Sequence, residues 1–155
     1  MCKRKMEGWS KMMSRSKYGA NKIVVDGITF DSKDEARYYE YLKNRKAKGE
    51  ILNFELQPKF TLIPSFKYEN KTVRPATYSL DFLIYHLDGK EEYIDVKSLG
   101  TATQQGEFKF KLLKYQHPGK DFKWICRNLK HGDENGWIKY EELKKKLREA
   151  KKCSK

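Results

Sequence analysis

The sequence has few cysteines and no long apolar run, and each absence excludes a class of protein. The three cysteines, Cys2, Cys126 and Cys153, are far apart and include no Cys-x-x-Cys pair. Neither a disulfide framework nor a zinc site is therefore indicated. No segment approaches the ~18 apolar residues that cross a membrane, and the basic N-terminus lacks the apolar stretch of a secretory signal. We therefore expect a cytoplasmic protein.

Positive charge is abundant and is concentrated towards the two ends of the chain. The 155 residues carry a net charge of +13, of which residues 1–17 and residues 138–155 contribute +5 each. We predict a basic N-terminal arm (1–17), one folded core (18–137) and a basic C-terminal helix and tail (138–155). Such ends can follow the phosphates of a nucleic acid, although a lysine-rich helix can also be a solvated face.

An acid-x-lysine sequence, Asp95-Val96-Lys97, ends one of the most apolar segments of this polar chain. Side chains alternate between the faces of a strand, so Asp95 and Lys97 point the same way. A second acid, Asp81, lies in the preceding apolar segment, where it would be partly desolvated. Two carboxylates and a lysine could hold a divalent cation against a phosphate. Solvent-facing acids on a half-exposed sheet are the alternative.

The turn at residues 86–90, which contains Asp88-Gly89, decides whether Asp81 and Asp95 meet. A two-residue loop would place Asp81 opposite Val96, facing away from Asp95. A three-residue loop, closed by Gly89 in a left-handed conformation, would instead set Asp81 opposite Asp95. The catalytic interpretation requires the longer loop. We therefore predict that loop, with the two carboxylates close enough to share one cation.

A third acid, Glu35, lies in the first turn of a predicted helix that stops at Gly49. Glu35, Tyr39 and Leu42 follow i, i+4, i+7 spacing, which places Glu35 on the inward face of the helix. Ser32 precedes it by three residues, and Ser-x-x-Glu is also a capping box, in which the glutamate accepts from the serine N–H. From the residues alone, Glu35 is either a cap or a member of the site.

The remaining pattern predicts an α/β fold with a mixed central β-sheet flanked by helices. Residues 22–30 form a hairpin that turns at Asp26-Gly27. Residues 122–127 form a buried strand that pairs in parallel with its neighbour after a helical crossover. The crossover helix, residues 107–115, is predicted to bury Phe108, Leu112 and Tyr115 and to expose Lys111 and Lys114.

The order of several segments along the chain resembles that of a known family. These segments are a helix with Glu35 near its start, Gln57-Pro58 entering a strand, Tyr78-x-x-Asp81, Asp95-Val96-Lys97 and a following lysine-rich helix. In this order they resemble the PD-(D/E)XK nuclease superfamily, although Leu80 stands where the superfamily name has proline. Residues 17–19, 25–36 and 56–60 resemble a small endonuclease family encoded by phages and prophages.

The resemblance implies a metal-dependent endodeoxyribonuclease with a restriction-endonuclease-like fold and Mg²⁺ or Mn²⁺ as cofactor. Glu35, Asp81, Asp95 and the Val96 carbonyl would bind the metal, and Lys97 would be the catalytic lysine. Gln57 is a weaker candidate for the metal or water shell. The basic residues expected to contact DNA phosphates are Lys17, Arg74, Lys109, Lys111 and Lys114.

The substrate expected by analogy is branched DNA, as for phage Holliday-junction resolvases that act in recombination or replication. A small basic nuclease without a further specificity domain suits recognition of shape, and a two-fold junction would require a homodimer. Two alternatives stay open. One is a transposon-end or site-specific nuclease that needs a targeting partner, and the other is a non-catalytic DNA-binding module.

Overall fold

The structure, a computed structural model, describes residues 22–153. The predicted N-terminal arm lies outside these residues. Three helices and eleven strands follow one another along the described chain. In chain order they are β1 (Ile23–Val25), β2 (Ile28–Phe30), α1 (Lys33–Ala47), β3 (Asn53–Leu56), β4 (Lys59–Ile63), β5 (Phe66–Tyr68), β6 (Lys71–Val73), β7 (Ala76–Ser79), β8 (Phe82–Tyr85), β9 (Glu91–Val96), α2 (Gln104–Gln116), β10 (Asp121–Arg127), β11 (Trp137–Lys139) and α3 (Tyr140–Cys153).

A five-stranded mixed sheet forms the centre of the fold, with the strand order β11-β10-β9-β8-β3. Strands β9 and β10 are parallel, and α2 connects them because parallel neighbours need a long crossover. The other neighbouring pairs of this sheet are antiparallel. Three two-stranded pairs, β1-β2, β4-β7 and β5-β6, lie outside it. The fold is therefore the mixed α/β arrangement, restriction-endonuclease-like, that the sequence predicts.

Alternating side chains of the sheet build two apolar clusters, one on each face. Phe82 and Ile94 are fully buried on the face covered by α1, where they pack in one cluster with Leu42. Leu83 lies on the other face, in a cluster with Leu113 of α2 and residues of α3. Consecutive residues Phe82 and Leu83 thus belong to different clusters, as the two-residue period of a strand requires. Neither α1, α2 nor α3 is long and apolar enough to cross a lipid bilayer.

The crossover helix starts earlier than predicted and buries a different face. Thr103 caps α2, and its hydroxyl accepts a hydrogen bond of 3.1 Å from the Gly106 N–H. Phe110 and Leu113 are the buried residues of α2. The prediction that Phe108 and Tyr115 face the core is wrong, since their exposed fractions are 66% and 82%. Apolar residues occur on several sides of this helix, so their spacing did not determine which side packs. Lys111 and Lys114 are exposed, as predicted.

The segment after residue 137, predicted as a basic C-terminal helix and tail, contributes side chains to the core. Ile138 of β11 and Tyr140 and Leu143 of α3 are buried in the cluster that covers the α2 face. Their apolar positions lie among many charged residues, which made the segment resemble a solvated tail. Strand β3 was not predicted from the sequence. It forms the edge of the central sheet beside β8.

Candidate functional site

The acid-x-lysine sequence lies at the end of β9, in the middle of the central sheet. Val96 packs into the cluster under α1, whereas Asp95 points to the opposite face and is only 2% exposed. Within residues 22–153, Asp95 is the single polar or charged residue that is buried. A buried carboxylate needs ionic and hydrogen-bonding partners, because removing an unpaired charge from water is costly.

Asp95 has two such partners, and a third side chain supports them. Lys97 Nζ lies 2.8 Å from Asp95 Oδ1, and the Tyr78 hydroxyl donates to Asp95 Oδ2. The Tyr78 oxygen in turn accepts a hydrogen bond of 2.9 Å from Trp124 Nε1. Burial and the charge of Asp95 hold the pKa of Tyr78 above its ordinary value, so the phenol keeps its proton. Tyr78 is therefore a fixed donor to Asp95.

Asp81 occupies the break between β7 and β8, where the chain passes from one sheet to another. Its main-chain N–H donates to the Ile94 carbonyl over 2.9 Å. Its carboxylate accepts a hydrogen bond of 2.7 Å from the N–H of Val96, the last residue of β9. Burial, followed by the negative charges of Asp95 and Glu35, raises the pKa of Asp81 to about 8. The negative charges of Asp95 and Glu35 therefore both act on Asp81.

The β8–β9 turn adopts the predicted longer loop. The His86 N–H donates to the Lys90 carbonyl over 2.9 Å, and Gly89 has a φ of 82°. The ladder pairs Phe82 with Ile94, so continuing it by one residue sets Asp81 opposite Asp95. The register prediction is confirmed.

Glu35 forms the predicted capping box at the start of α1. Ser32 Oγ accepts a hydrogen bond of 3.1 Å from the Glu35 N–H and donates one of 3.0 Å to Glu35 Oε1. Glu35 Oε2 accepts 3.1 Å from the Asp31 N–H, one residue before the serine N–H that the motif suggests. Burial is the main cause that raises the pKa of Glu35, and the charge of Asp95 adds to it. Glu35 is thus both part of the cap of α1 and a negative charge that acts on Asp81.

A small cavity beside β2 brings Glu35 and Asp81 together with Gln57. Its volume is about 140 Å³, and the three polar residues form part of its lining. Gln57 has a φ of 53°, rarely adopted by residues other than glycine, and its N–H donates to the Asp81 carbonyl over 2.9 Å. Strained backbone of this kind tends to occur at functional sites. Asp95 and Lys97 are not part of the lining of this cavity.

The predicted three-acid metal group is not assembled in this conformation. Among residues 22–153, no three His, Cys, Asp or Glu side chains lie close enough together to hold a metal ion. Glu35, Asp81 and Asp95 instead each accept hydrogen bonds from other groups of the protein. The donor set still suits a hard cation, because all its atoms are oxygens and a cation would offset the repulsion that raises the pKa of Asp81.

A comparison with protein families matches most of the chain. Residues 15–133 match the family described as "Protein of unknown function (DUF1064)". The chain belongs to this family. Glu35, Asp81, Asp95 and Lys97 all lie in the segment that matches DUF1064, whereas β11 and α3 lie beyond it. Searches of curated proteins and of solved structures find no match.

The basic residues predicted to contact DNA lie in separate places. Lys17 is within the DUF1064 match but outside the described residues. Arg74 follows β6 and is exposed. Lys109, Lys111 and Lys114 lie on α2, where Lys109 is partly buried and Lys114 Nζ is 4.4 Å from the centre of the Phe110 ring.

Tyr78 and Trp124 are residues of the site that sequence reasoning missed. Tyr78 is part of the sequence Tyr78-x-x-Asp81 that resembles the nuclease superfamily, but its spacing from Asp81 did not indicate a function. Trp124 pairs with Asp95 across the parallel strands, so both side chains lie on the same face. The sequence predicts that the two strands are parallel. The pairing of Trp124 with Asp95 would also have required their register, which the sequence does not give.

Proposed function

We propose that the protein is a metal-dependent endodeoxyribonuclease of the PD-(D/E)XK type that hydrolyses phosphodiester bonds. The observation that carries this proposal is the buried Asp95–Lys97 pair at the end of β9, with Asp81 opposite Asp95. A buried ion pair beside another acid of raised pKa adds little to stability and often marks a functional site. The net charge of +13 supports a polyanionic substrate.

Each residue of the site would have a defined role. Glu35, Asp81, Asp95 and the Val96 carbonyl would hold Mg²⁺ or Mn²⁺, which supplies a Lewis acid for the phosphate and for the attacking water. Lys97 would stabilise the negative charge that develops on the phosphate. Tyr78 would keep Asp95 oriented by its hydrogen bond. Glu35 would have to leave its capping hydrogen bonds before all three acids could act together, while Asp95 stays held by Tyr78.

The substrate class within this proposal is branched DNA, and the enzyme would act as a homodimer on a two-fold junction. Recognition would depend on the shape and backbone of the DNA, since the described residues contain one central sheet and no second folded unit for base readout. Recombination or replication of phage DNA inside a bacterial host would be its setting.

One experiment tests the proposal directly. The purified protein is incubated with linear, flapped, single-stranded and four-way DNA, each with Mg²⁺, Mn²⁺ or EDTA. We expect cleavage with either metal, fastest on branched DNA, and none in EDTA. An Asp95→Asn protein purified in the same way controls for contaminating nucleases. Absence of cleavage on every substrate with both metals would contradict the proposal.

A non-catalytic DNA-binding module is the second candidate. It is favoured by the finding that all three carboxylates already have hydrogen-bond partners within the described part of the chain. Such a module would bind DNA with strong salt dependence and would show the same affinity with Mg²⁺ as with EDTA.

A further inference from the structure

The hairpin formed by β5 and β6 projects from the fold with all its side chains exposed. Its two strands pair with each other, and neither packs extensively against another described helix or strand. A two-residue turn, Glu69-Asn70, closes the hairpin with both residues in the left-handed region, at φ values of 47° and 62°. These are the backbone angles of the turns that match the twist of paired strands. The hairpin is therefore a defined arm.

One face of this arm carries two aromatic rings and a valine. Phe66 pairs with Val73, and Tyr68 pairs with Lys71. Directly opposed residues and residues two apart share a face, so Phe66, Tyr68 and Val73 lie together, with Lys71 at the turn end of this face and Lys67 on the opposite face. The exposed fractions of Phe66, Tyr68 and Val73 are 47%, 64% and 37%. A cross-strand contact between Phe66 and Val73 can help the hairpin to form, but it leaves the Tyr68 ring facing solvent.

The charge of the arm indicates which partner this face accepts. Lys67, Lys71 and Arg74 are exposed, and none of them is in an ion pair with a carboxylate of the described residues. Glu69 is the single acid between residues 64 and 75. A second copy of the chain would bring the same positive charge to the contact, whereas a nucleic acid would bring the opposite charge. Phosphates satisfy the lysines, but only bases offer flat surfaces to Phe66 and Tyr68.

We propose that the β5–β6 arm binds DNA whose bases are exposed, by stacking Phe66 and Tyr68 on unpaired bases while Lys67, Lys71 and Arg74 contact the flanking phosphates. This inference rests on DNA being the substrate of the proposed function and specifies the form of that DNA. The arm joins the site through β7, since Val73 precedes Asp81 by eight residues. An extended chain of that length spans at most about 26 Å, or roughly eight base-pair steps. Binding by the arm would thus favour cleavage near a branch point.

A binding assay in EDTA tests the arm without requiring cleavage. The Phe66→Ala/Tyr68→Ala protein is compared with the parent on a single strand, a duplex of the same sequence and a four-way junction, at one salt concentration. Base stacking on aromatic side chains predicts that the variant binds the single strand at least ~10-fold more weakly than the parent does. Its binding to the junction should also be weaker. Duplex binding should weaken by less than about threefold, since the lysines remain.

A base analogue and matched variants make the assay specific. Quenching of 2-aminopurine in the single strand reports stacking, and it should be lost in Phe66→Ala/Tyr68→Ala and also in Phe66→Leu/Tyr68→Leu, which keeps apolar bulk without rings. Leu87→Ala, which removes an exposed apolar side chain from the β8–β9 turn, should bind every DNA like the parent. Unchanged melting temperatures verify that the variants fold.

Three results would overturn the inference. The first is parental affinity of the double alanine variant for the single strand and the junction. The second is an equal loss of affinity for all three DNAs. The third is a change of oligomeric state in sedimentation without a change in DNA binding. The result is separable from that of the cleavage assay. A protein that never cuts DNA but loses single-strand binding through these two substitutions would contradict the nuclease proposal and support the arm.

Discussion

Lys97 Nζ lies 2.8 Å from Asp95 Oδ1, and the two residues are separated on their strand by Val96 alone. Strand alternation puts both side chains on one face, so the lysine neutralises an acid that water scarcely reaches. Removal of Lys97 would leave that charge buried and unpaired, which is strongly destabilising. Loss of activity in Lys97→Ala therefore has two possible causes, folding and catalysis. Asp95→Asn is the more informative substitution because it removes charge and keeps shape.

Asp81 should make the metal-free protein less stable as the pH rises. Its pKa is raised from 3.8 to about 8 in the folded chain. Between these values the folded state holds a proton that the unfolded state has lost, so the free energy of unfolding falls with increasing pH. Asp81→Asn removes this dependence while its amide oxygen can still accept from the Val96 N–H. We expect the variant to melt at least ~3 °C above the parent at pH 8 in EDTA, with little difference at pH 4. An equal difference at both pH values would contradict this.

Glu35 can be tested for its two roles separately. Glu35→Gln retains an acceptor for Ser32 Oγ or the Asp31 N–H, so the melting temperature should change little. If the charge supports a metal, turnover should fall at least ~10-fold. Ser32→Ala is the matched control, because it removes the cap, at a cost of about 1 kcal/mol, and leaves the carboxylate in place. Unchanged turnover in Glu35→Gln would reduce Glu35 to a cap.

Tyr78 should act on the reaction through Asp95. Tyr78→Phe removes the hydrogen bond to Asp95 and leaves Trp124 Nε1 without its acceptor. We expect the Mg²⁺ concentration for half-maximal cleavage to rise ~10- to 100-fold, the usual effect of losing a residue that orients a metal ligand. Tyr93→Phe is the control, since it removes a hydroxyl bonded to Glu91 elsewhere in the sheet. A parental metal requirement in Tyr78→Phe would mean that the tyrosine only supports the fold.

Gly89 should be required for its backbone conformation rather than for space. A Cβ at this position would meet nothing within 4 Å, but the φ of 82° is unfavourable for side chains. Gly89→Val should therefore lower the free energy of unfolding by about 1–2 kcal/mol or shift the register. Gly89→Asn should cost less, because asparagine tolerates this region. Gly119→Val, at an open site without positive φ, is the control in the same thermal-unfolding assay. Equal stability of the two valine variants would contradict the argument.

Local features of the sequence were sufficient where one turn or cap decides the geometry. Asp88-Gly89 located the β8–β9 turn, whereas its three-residue length was predicted from the catalytic interpretation, which needs Asp81 opposite Asp95. Ser32 and Glu35 predicted the cap because the capping box is formed by nearby residues. The parallel pairing of β10 followed from the helix that precedes it, since parallel neighbours need a crossover.

Features that depend on distant packing could not be read in this way. The apolar pattern of residues 73–85 looks like one strand, but pairing with β4 and then with β9 divides it into β7 and β8 and leaves Asp81 in the break. The orientation of Asp95 depends on Tyr78 and Trp124, which approach from two other strands. The backbone register of Asp81 and Asp95 was therefore predictable from the sequence, whereas the side-chain partners of Asp95 were not.

Cleavage of a four-way junction by Asp95→Asn, compared with the parent protein under saturating Mg²⁺, tests the central claim most directly. The amide can still accept from Tyr78, so folding and DNA binding in EDTA should stay close to those of the parent. The account predicts cleavage by the parent and loss of at least ~100-fold in rate for the variant, because the proposed metal ligand and partner of Lys97 is removed. Cleavage by Asp95→Asn at the parental rate would contradict the account.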